Sequence, residues 1–373
     1  MLLNWRDTRH PQGGGSERYV EHVAFGLAER GYRVTVCCSA YEGAAADETV
    51  RGVRFRRRGN DLTVYWYTLL RLLAGPRPDL VVDVQNGLPF FSRLVTRCPV
   101  VVLVHHLHRE QWCIVFGRLV GRVGWWIESW LAPRVYRRCQ YVTVSRATRA
   151  GLAGLGVDPA RTLVAHNGLD TPPPVAARRS PTPLLVAVSR LAPHKQLEHA
   201  IDAVAELRPR WPDLRLEIVG QGPWLTPLLA HARERGVADA VTLHGWLSEQ
   251  AKHEVLARAW VHLCPSVKEG WGIVVMEAAA HGVPTVAYAS AGGVAESVRH
   301  RETGLLADSP ADLVAAVREL VADEGLRTAM GAACVAHATD HDWESTVGAF
   351  DALAARLLGT APRGRPAVPR HPA

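Results

Sequence analysis

The sequence lacks the features that would set it apart from ordinary globular proteins. It has no C-x-x-C pair, and its seven scattered cysteines favour a reduced, cytoplasmic protein over a disulfide-stapled one. No run approaches the ~20 apolar residues of a membrane-spanning helix, and no secretory signal peptide is expected. No zinc-finger or RNP-type pattern supports nucleic acid as a partner.

The composition that is present indicates a globular protein of two domains. The chain has 373 residues, of which 48% are hydrophobic and 21% are charged. Forty-three Lys and Arg residues against 36 Asp and Glu residues give a net charge of +7, much of it from arginines in the first 150 residues. This balance suits nucleic acid, anionic lipid or a phosphorylated substrate.

Short apolar runs alternate with helical patterns in both halves of the chain. Runs that are apolar throughout are typical of strands buried on both faces of a parallel sheet, and the alternation predicts βαβ units. The fold class is therefore α/β, with two Rossmann-like domains. We predict strands at 1–4, 33–38, 80–84, 100–104 and 141–145, and again at 184–189, 215–219, 240–243, 261–264 and 285–287.

The domain boundary is predicted in the proline-rich segment 171–183, which has the composition of a linker. It separates an N-terminal domain, 1–170, from a C-terminal domain, 184–341. A further helix is predicted at 343–358, and the tail 359–373, rich in Pro and Arg, is predicted to be disordered.

The most informative segment is 265–284, which carries Glu269 and Glu277 eight positions apart. A helix is predicted over 273–280, stopped by Gly282 and Pro284. We expect Glu269 at the helix N-terminus and Glu277 two turns further on, roughly 12 Å along the axis. A helix N-terminus attracts an anion such as a diphosphate, and a carboxylate on either side accepts hydrogen bonds from polyols. This arrangement suits a sugar nucleotide.

This segment resembles the E-x7-E motif of retaining glycosyltransferases of the GT-B fold, in particular family 4 (group 1). Pro265-Ser266, Gly282-Val283-Pro284, Ala291-Gly292-Gly293 and Thr303-Gly304-Leu305-Leu306 agree with the family as well. The resemblance implies two domains facing across a cleft, with the 343–358 helix crossing back to the N-terminal domain. It also implies that Glu269 binds the transferred sugar and Glu277 the ribose, with Gly270, Gly272 and Ile273 beside them.

Two cations follow the first strand of the C-terminal domain. Arg190 and Lys195 lie where open α/β sheets bind ligands, and such a pair can hold a diphosphate. The segment resembles the family's G-R-L-x-x-x-K-G element, although Ser189 and Gln196 replace its glycines. The resemblance assigns both cations to the departing phosphate. The alternative is an exposed basic loop.

Further donor contacts are predicted at glycine-rich turns. Gly13 to Gly15 precede a helix and form a candidate anion cradle, in which Gly14 and Gly15 would approach the donor; a simple flexible loop is the alternative. The resemblance places Gly220 and Gly222, in a G-x-G-P element, in the nucleotide pocket and Trp246 at the base.

A histidine-rich loop follows the strand at 100–104. It resembles the family's T-x-H-D region, which makes His105 the candidate that faces the reacting sugar. His106, His108 and Trp112 are candidates for the acceptor side. Metal binding by the histidines, or simple packing of the loop, are the alternatives.

No metal is expected. The D-x-D string at 340–342 is discounted because Asp342 is predicted to cap the following helix. The resemblance implies that no cofactor or metal is required.

The segment 109–138 interleaves tryptophans with arginines. This composition suits the inner surface of a membrane, or an acceptor that carries an apolar group and a phosphate. An amphipathic helix packed on the sheet is the alternative.

The predicted function is transfer of a sugar, with retention, from a nucleoside diphosphate sugar to a lipid, glycan or natural-product acceptor. No residue stands out as a nucleophile for a double displacement. A sugar-nucleotide epimerase on the same fold and a non-catalytic binding protein are the competing interpretations. Arg190, Lys195, Glu269 and Glu277 together argue against the latter.

Overall fold

The computed structural model describes residues 1–364, so the end of the predicted tail, 365–373, lies outside the described residues. The chain divides into two compact units. Among the described residues, unit 1 comprises 1–108, 122–168 and 342–364, and unit 2 comprises Arg109–Gly121 and Leu169–His341. Residues 171–183 contain no helix or strand.

Unit 1 contains a parallel sheet with one antiparallel edge strand, in the order β3-β4-β2-β1-β5-β6-β7-β8. Its central strands β5 and β6 are buried at every position, as expected for a parallel sheet covered on both faces. The strands are β1 Leu2–Leu3, β2 Thr35–Cys38, β3 Asp47–Val50, β4 Val53–Arg57, β5 Val81–Gln85, β6 Val100–Val104, β7 Gln140–Thr143 and β8 Thr162–Val164.

The helices that begin in the first half of the chain are α1 Gly15–Glu29, α2 Val64–Ala74, α3 Arg109–Trp126, α4 Ala132–Val135 and α5 Arg146–Gly154. Helix α3 is interrupted by non-helical backbone at Gly117 and continues into a π-helical turn, Ile127–Leu131.

Unit 2 contains a parallel sheet in the order β11-β10-β9-β12-β13-β14. The strands are β9 Leu184–Val188, β10 Arg215–Val219, β11 Val241–Gly245, β12 Val261–Cys264, β13 Thr285–Tyr288 and β14 Gly304–Ala307. The helices are α6 Glu198–Leu207, α7 Leu225–Glu234, α8 Glu249–Arg258, α9 Ile273–Ala280, α10 Val294–Ser297, α11 Pro310–Ala322 and α12 Glu324–Thr339.

The last helix, α13 (Trp343–Leu358), belongs to unit 1, where it packs against α1. Its N-terminus is capped as predicted, because the Asp342 side chain accepts a hydrogen bond from the Ser345 N–H. The packing is close: a Cβ on Gly26 of α1 would lie 2.6 Å from the methyl groups of Val347. The first helix of unit 1 is therefore covered by α13, which follows unit 2 in the chain.

Most predicted strands are confirmed to within two residues, and β6, β10 and β12, with helices α9 and α13, have the predicted bounds. Strands β3, β4, β8 and β14 were not predicted. Strand β3 is an edge strand that alternates between exposed and half-buried positions and carries charges, so it lacks an apolar run. It pairs with β4 across a two-residue turn in which both Arg51 and Gly52 have positive φ.

Candidate active site

Several predicted donor-site residues of unit 2 lie in loops at one edge of its sheet. Arg190 and Lys195 follow β9, Gly220 and Gly222 follow β10, and Glu269 follows β12. Since β9, β10 and β12 are parallel neighbours, all of these loops leave the sheet at its carboxyl edge. Ligands of open α/β sheets bind at this edge.

Close packing between the first two of these loops explains their glycines. A Cβ on Gly220 would lie 1.9 Å from the carbonyl oxygen of Ser189, and one on Gly222 would lie 2.2 Å from that of Leu191. The Leu191 N–H also donates to the Gln221 carbonyl at 3.0 Å. Glycine is required here so that the backbone carrying Arg190, which is itself exposed, can pass directly over the G-x-G-P turn.

The structure brings two predicted catalytic residues into contact. The Lys195 ammonium lies 2.5 Å from Oε1 of Glu269, and the Ser266 hydroxyl donates to the same oxygen at 2.8 Å. Burial acts to raise the pKa of Glu269, but Lys195 and Ser266 outweigh it and hold the pKa below its usual value. Glu269 is therefore an ionised hydrogen-bond acceptor at neutral pH.

Backbone bonds fix the position of Glu269. Its N–H donates to the Ala291 carbonyl at 2.8 Å, and its own carbonyl accepts from the Gly293 N–H at 3.0 Å. Gly293 packs so tightly that a Cβ there would lie 1.8 Å from the Gly270 carbonyl oxygen. The Ala291-Gly292-Gly293 turn thus holds the loop that carries the first glutamate.

The predicted geometry of the E-x7-E pair is partly wrong. Helix α9 begins at Ile273, after Gly272 with φ of 91°, so Glu269 lies in the preceding loop and not on the helix axis. The separation expected from helical rise therefore does not apply to this pair. Glu277 does lie within α9, where it is 2% exposed.

Lys252, which lies outside the motifs recognised in the sequence, contacts Glu277. The ammonium of Lys252, on α8, lies 2.9 Å from Oε1 of Glu277 and 2.9 Å from Oε2 of Glu249. One signal in the sequence could have found it. Only three of the 43 basic Lys and Arg residues are lysines, and all three (Lys195, Lys252 and Lys268) lie in unit 2.

Among residues 1–364, one group of side chains has the spacing of a metal site. Ligand atoms of Glu249, His253 and Glu277 all lie within 4.8 Å of one another. The Lys252 ammonium already contacts both carboxylates of this group, and His253 Nδ1 lies 2.8 Å from Nε2 of His281. The Lys252 ammonium therefore already supplies a positive charge to this group of side chains.

Trp246 lies directly after β11 and is 71% exposed, so its indole face is accessible. The preceding His244 is held by Glu217, at 2.9 Å.

In unit 1, the predicted anion cradle lies at the start of α1. Gly14 precedes the helix and Gly15 is its first residue. The Gly14 N–H donates to the Glu17 carboxylate at 2.8 Å. Glu17 is buried and already supplies negative charge to this helix N-terminus. Gly14 and Gly15 themselves are exposed.

The predicted histidines follow β6 in unit 1. His105 is 5% exposed, its ring lies edge-on to Tyr19 at 5.3 Å, and burial lowers its pKa to about 3, so the ring is neutral. His106 and His108 are half-buried, with ring centroids 4.1 Å apart, and His108 Nδ1 lies 3.0 Å from Glu128. Trp112, on α3, is 8% exposed.

Sequence comparisons agree with this arrangement. Residues 173–334 match the sequence model of the glycosyl transferases group 1, and residues 13–172 match that of Glycosyltransferase Family 4. The chain is 31% identical over 379 aligned residues to a GDP-mannose-dependent alpha-(1-6)-phosphatidylinositol monomannoside mannosyltransferase of Mycobacterium tuberculosis. The alignment covers 93% of this chain and 94% of that protein.

Two solved structures share the fold. Sucrose-phosphate synthase from Thermosynechococcus elongatus superposes with a TM-score of 0.82 at 19% identity, over 96% of this chain and 98% of that one. WaaG, a glycosyltransferase involved in lipopolysaccharide biosynthesis, superposes with a TM-score of 0.76 at 19% identity, over 96% and 99%. The predicted GT-B fold is confirmed. Within the described chain, no helix is both long and apolar enough to span a membrane.

Proposed function

This chain belongs to the family 4 (group 1) glycosyltransferases and transfers a sugar from a nucleotide sugar; from that premise we propose that it does so with retention, without a metal ion, and onto a lipid-borne acceptor at a membrane surface. The observation that carries the proposal is the cluster of Lys195, Ser266 and Glu269 at the carboxyl edge of the unit 2 sheet. It provides a cation for a departing phosphate beside an ionised acceptor for sugar hydroxyls.

The departing diphosphate is stabilised by fixed positive charge. When the bond between the anomeric carbon and the phosphate oxygen breaks, negative charge develops on that oxygen. Lys195, exposed Arg190 and the N-terminus of α9 supply the compensating charge, which is electrostatic catalysis. The Lys195 ammonium exchanges part of its contact with Glu269 for the phosphate.

Two carboxylates bind the two ends of the donor, its transferred sugar and its ribose. Glu269 accepts hydrogen bonds from hydroxyls of the transferred sugar, while Glu277, within α9, accepts them from the ribose. Gly220 and Gly222 allow the backbone to approach the nucleotide, Gly270, Gly272 and Ile273 line the start of α9, and Trp246 stacks on the base through its exposed indole.

Retention follows if the acceptor attacks on the face that the diphosphate leaves. The acceptor oxygen forms the new bond to the anomeric carbon, the phosphate departs with the electron pair of the old bond, and a phosphate oxygen takes the acceptor's proton. The neutral His105 is a hydrogen-bonding group for the reacting sugar and not a charged acid. Gly14, Gly15, His106, His108 and Trp112 remain proposed contacts to the donor phosphates and the acceptor.

The lipid-borne acceptor is supported by exposed apolar and basic side chains. Residues 109–138 carry six arginines against two glutamates, one of which, Glu128, is buried. On successive turns, Val123, Trp126 and Trp130 are 58%, 49% and 44% exposed, and Arg134 lies over the Trp130 ring at 4.1 Å. Indoles beside arginines suit the headgroup region of an anionic bilayer. The name of the mycobacterial relative specifies a phosphatidylinositol monomannoside, which is an anionic lipid of the kind that such a surface would bind.

A second exposed face, on α2, was not predicted from the sequence. Leu62, Trp66, Leu70 and Leu73 recur at helical spacing and are between 59% and 79% exposed. No acidic residue interrupts this segment from Leu62 to Arg77. Because the face is apolar and the charged residues within the segment, Arg71 and Arg77, are basic, it is a further candidate for contact with lipid.

Incubation with UDP- and GDP-hexoses tests the reaction itself. With a phosphoinositide-containing extract as acceptor, NMR should find the anomeric configuration of the donor in the product, and activity should persist in EDTA. An inverted product or loss of activity in EDTA would contradict the mechanism. An isomerised sugar nucleotide formed without acceptor would indicate an epimerase instead.

Sedimentation with anionic and with neutral vesicles tests the membrane contact. The wild type should co-sediment with anionic vesicles only, and Trp126→Glu or Leu70→Glu should weaken this association. Leu229→Glu, an exposed leucine on α7, is the matched control. Equal sedimentation of all variants would remove both surfaces from the proposal.

A further inference from the structure

Lys252 is an unusual residue for its position. It lies on α8, is 8% exposed as a whole residue, and places its ammonium between the buried Glu277 and the exposed Glu249. Lysine is seldom buried to this degree, because removing an ammonium from water is costly and its long side chain loses rotamer freedom.

Fold stability alone is a weak reason for this arrangement. A buried ion pair is often no more stable than apolar residues of the same volume, since desolvation offsets the attraction between the charges. An apolar residue in place of Glu277 would remove the need for a buried counter-charge. The arrangement is accounted for if a carboxylate held in one orientation is needed at position 277.

We propose that Lys252 is a positioning residue for the nucleotide donor: its ammonium holds Oε1 of Glu277 and orients the carboxylate to receive the ribose hydroxyls. This inference rests on the proposed ribose-binding role of Glu277. An ammonium donates three hydrogen bonds and accepts none. It can therefore hold the carboxylate without accepting the hydrogen bonds that the ribose hydroxyls would donate to that carboxylate.

The same contact bears on the proposed metal independence. Glu249, His253 and Glu277 have the spacing of a divalent-cation site, and the Lys252 ammonium supplies one positive charge within it. Replacing Lys252 by an uncharged residue leaves two carboxylates and an imidazole facing one another. The variant should therefore bind Zn²⁺ or Mn²⁺ more tightly than the wild type does.

Calorimetric titration can separate positioning from a general structural effect. The probes are UDP and GDP, each compared with its 2′,3′-dideoxy analogue. For the ribonucleotide that binds, Lys252→Met should lower affinity by about 10-fold to 100-fold, the loss of one charge-assisted hydrogen bond. Affinity for the dideoxy analogue should change by less than about twofold, because the analogue has no ribose hydroxyls to contact Glu277.

Four further variants complete the design. Glu277→Gln should produce the same selective loss, and the double variant should lose no more than either single one, as expected for residues that act through one contact. Lys252→Arg, which keeps the charge, should restore much of the affinity. Arg208→Met, which breaks an exposed ion pair between the end of α6 and Asp239 in the turn before β11, controls for loss of a cation.

Each outcome decides a different question. Equal losses for ribo- and dideoxynucleotides, or additive effects in the double variant, would overturn the positioning role and leave a general electrostatic or structural one. A selective loss in Glu277→Gln without one in Lys252→Met would also overturn it, while the ribose role of Glu277 stood. Wild-type protein that does not distinguish the analogues would refute the ribose role, and with it this inference.

Discussion

Replacement of Lys195 by methionine is the most direct test of how the leaving group is stabilised. The Lys195 side chain is 14% exposed and that of its partner Glu269 is 19% exposed, so the charge acts in a region largely shielded from water. Loss of one such donor costs about 2.7–4 kcal/mol of transition-state stabilisation, or about 10²–10³ in kcat. Donor KM should change less, since the charge on the phosphate oxygen develops mainly in the transition state.

A second signature of the same substitution is a changed pH profile. Burial acts to raise the pKa of Glu269, and Lys195 is the main group that holds it down. Without Lys195 the pKa of Glu269 should rise, and a protonated carboxyl is a poorer acceptor for sugar hydroxyls. The residual kcat/KM of Lys195→Met should therefore increase with pH over a range in which the wild type is flat.

Initial rates with a saturating acceptor, measured from pH 5 to 9, would test both effects. Lys268→Met removes the lysine adjacent to Glu269 in the sequence and should leave kcat and the pH profile essentially as in the wild type. A Lys195→Met enzyme with kcat within about threefold of the wild type would refute the electrostatic role. A large loss of kcat with an unchanged pH profile would keep that role and refute the coupling to Glu269.

Three other predictions follow from individual contacts. Glu277→Gln should raise donor KM more than it lowers kcat, and steady-state kinetics that show the reverse would argue against ribose binding. Gly293→Ala should lower both activity and melting temperature, since its Cβ would lie 1.8 Å from the Gly270 carbonyl oxygen; normal values of both would show that the turn can relax. Burial acts to raise the pKa of Asp47, but arginines led by Arg58 lower it to about 2. The stability that the ionised carboxylate provides is present above pH 3.8, the usual pKa of Asp, and is lost as pH falls through about 2. Asp47→Asn should therefore destabilise the protein at pH 7 and progressively less as pH falls to about 2, as measured by thermal unfolding.

The sequence predicted those parts of the fold that carry a local pattern, such as an apolar run, a helix cap or helical periodicity. Strand β6 is a run of valines and leucine, and helix α13 combines an Asp342 cap with helical periodicity. Strand β3 gives no such signal, because it is a charged edge strand whose pairing depends on the tight turn to β4. Short, polar strands are specified by their neighbours in the sheet more than by their own residues.

The same distinction holds for the candidate active site: residues in local motifs were predicted, and those that depend on tertiary contacts were not. Arg190, Lys195, Glu269 and Glu277 lie in motifs that can be recognised locally. The partnership of Glu277 with Lys252 joins two helices and lies 25 residues apart in the chain, so no local pattern reveals it. The burial of His105 depends on the Tyr19 ring packed against it, which is again a tertiary contact.

The place of α13 has a consequence for how the protein is made. During synthesis the chain leaves the ribosome from its N-terminus, so the sheet strands β1 to β8 of unit 1 emerge long before the helix that covers α1. Residues 169–341, by contrast, form a continuous stretch of unit 2. Unit 2 can therefore complete its core before unit 1 does. Until α13 has been synthesised, the apolar face of α1 in unit 1 stays uncovered. Nascent chains that stop before Trp343 should depend on chaperones more than the finished protein does.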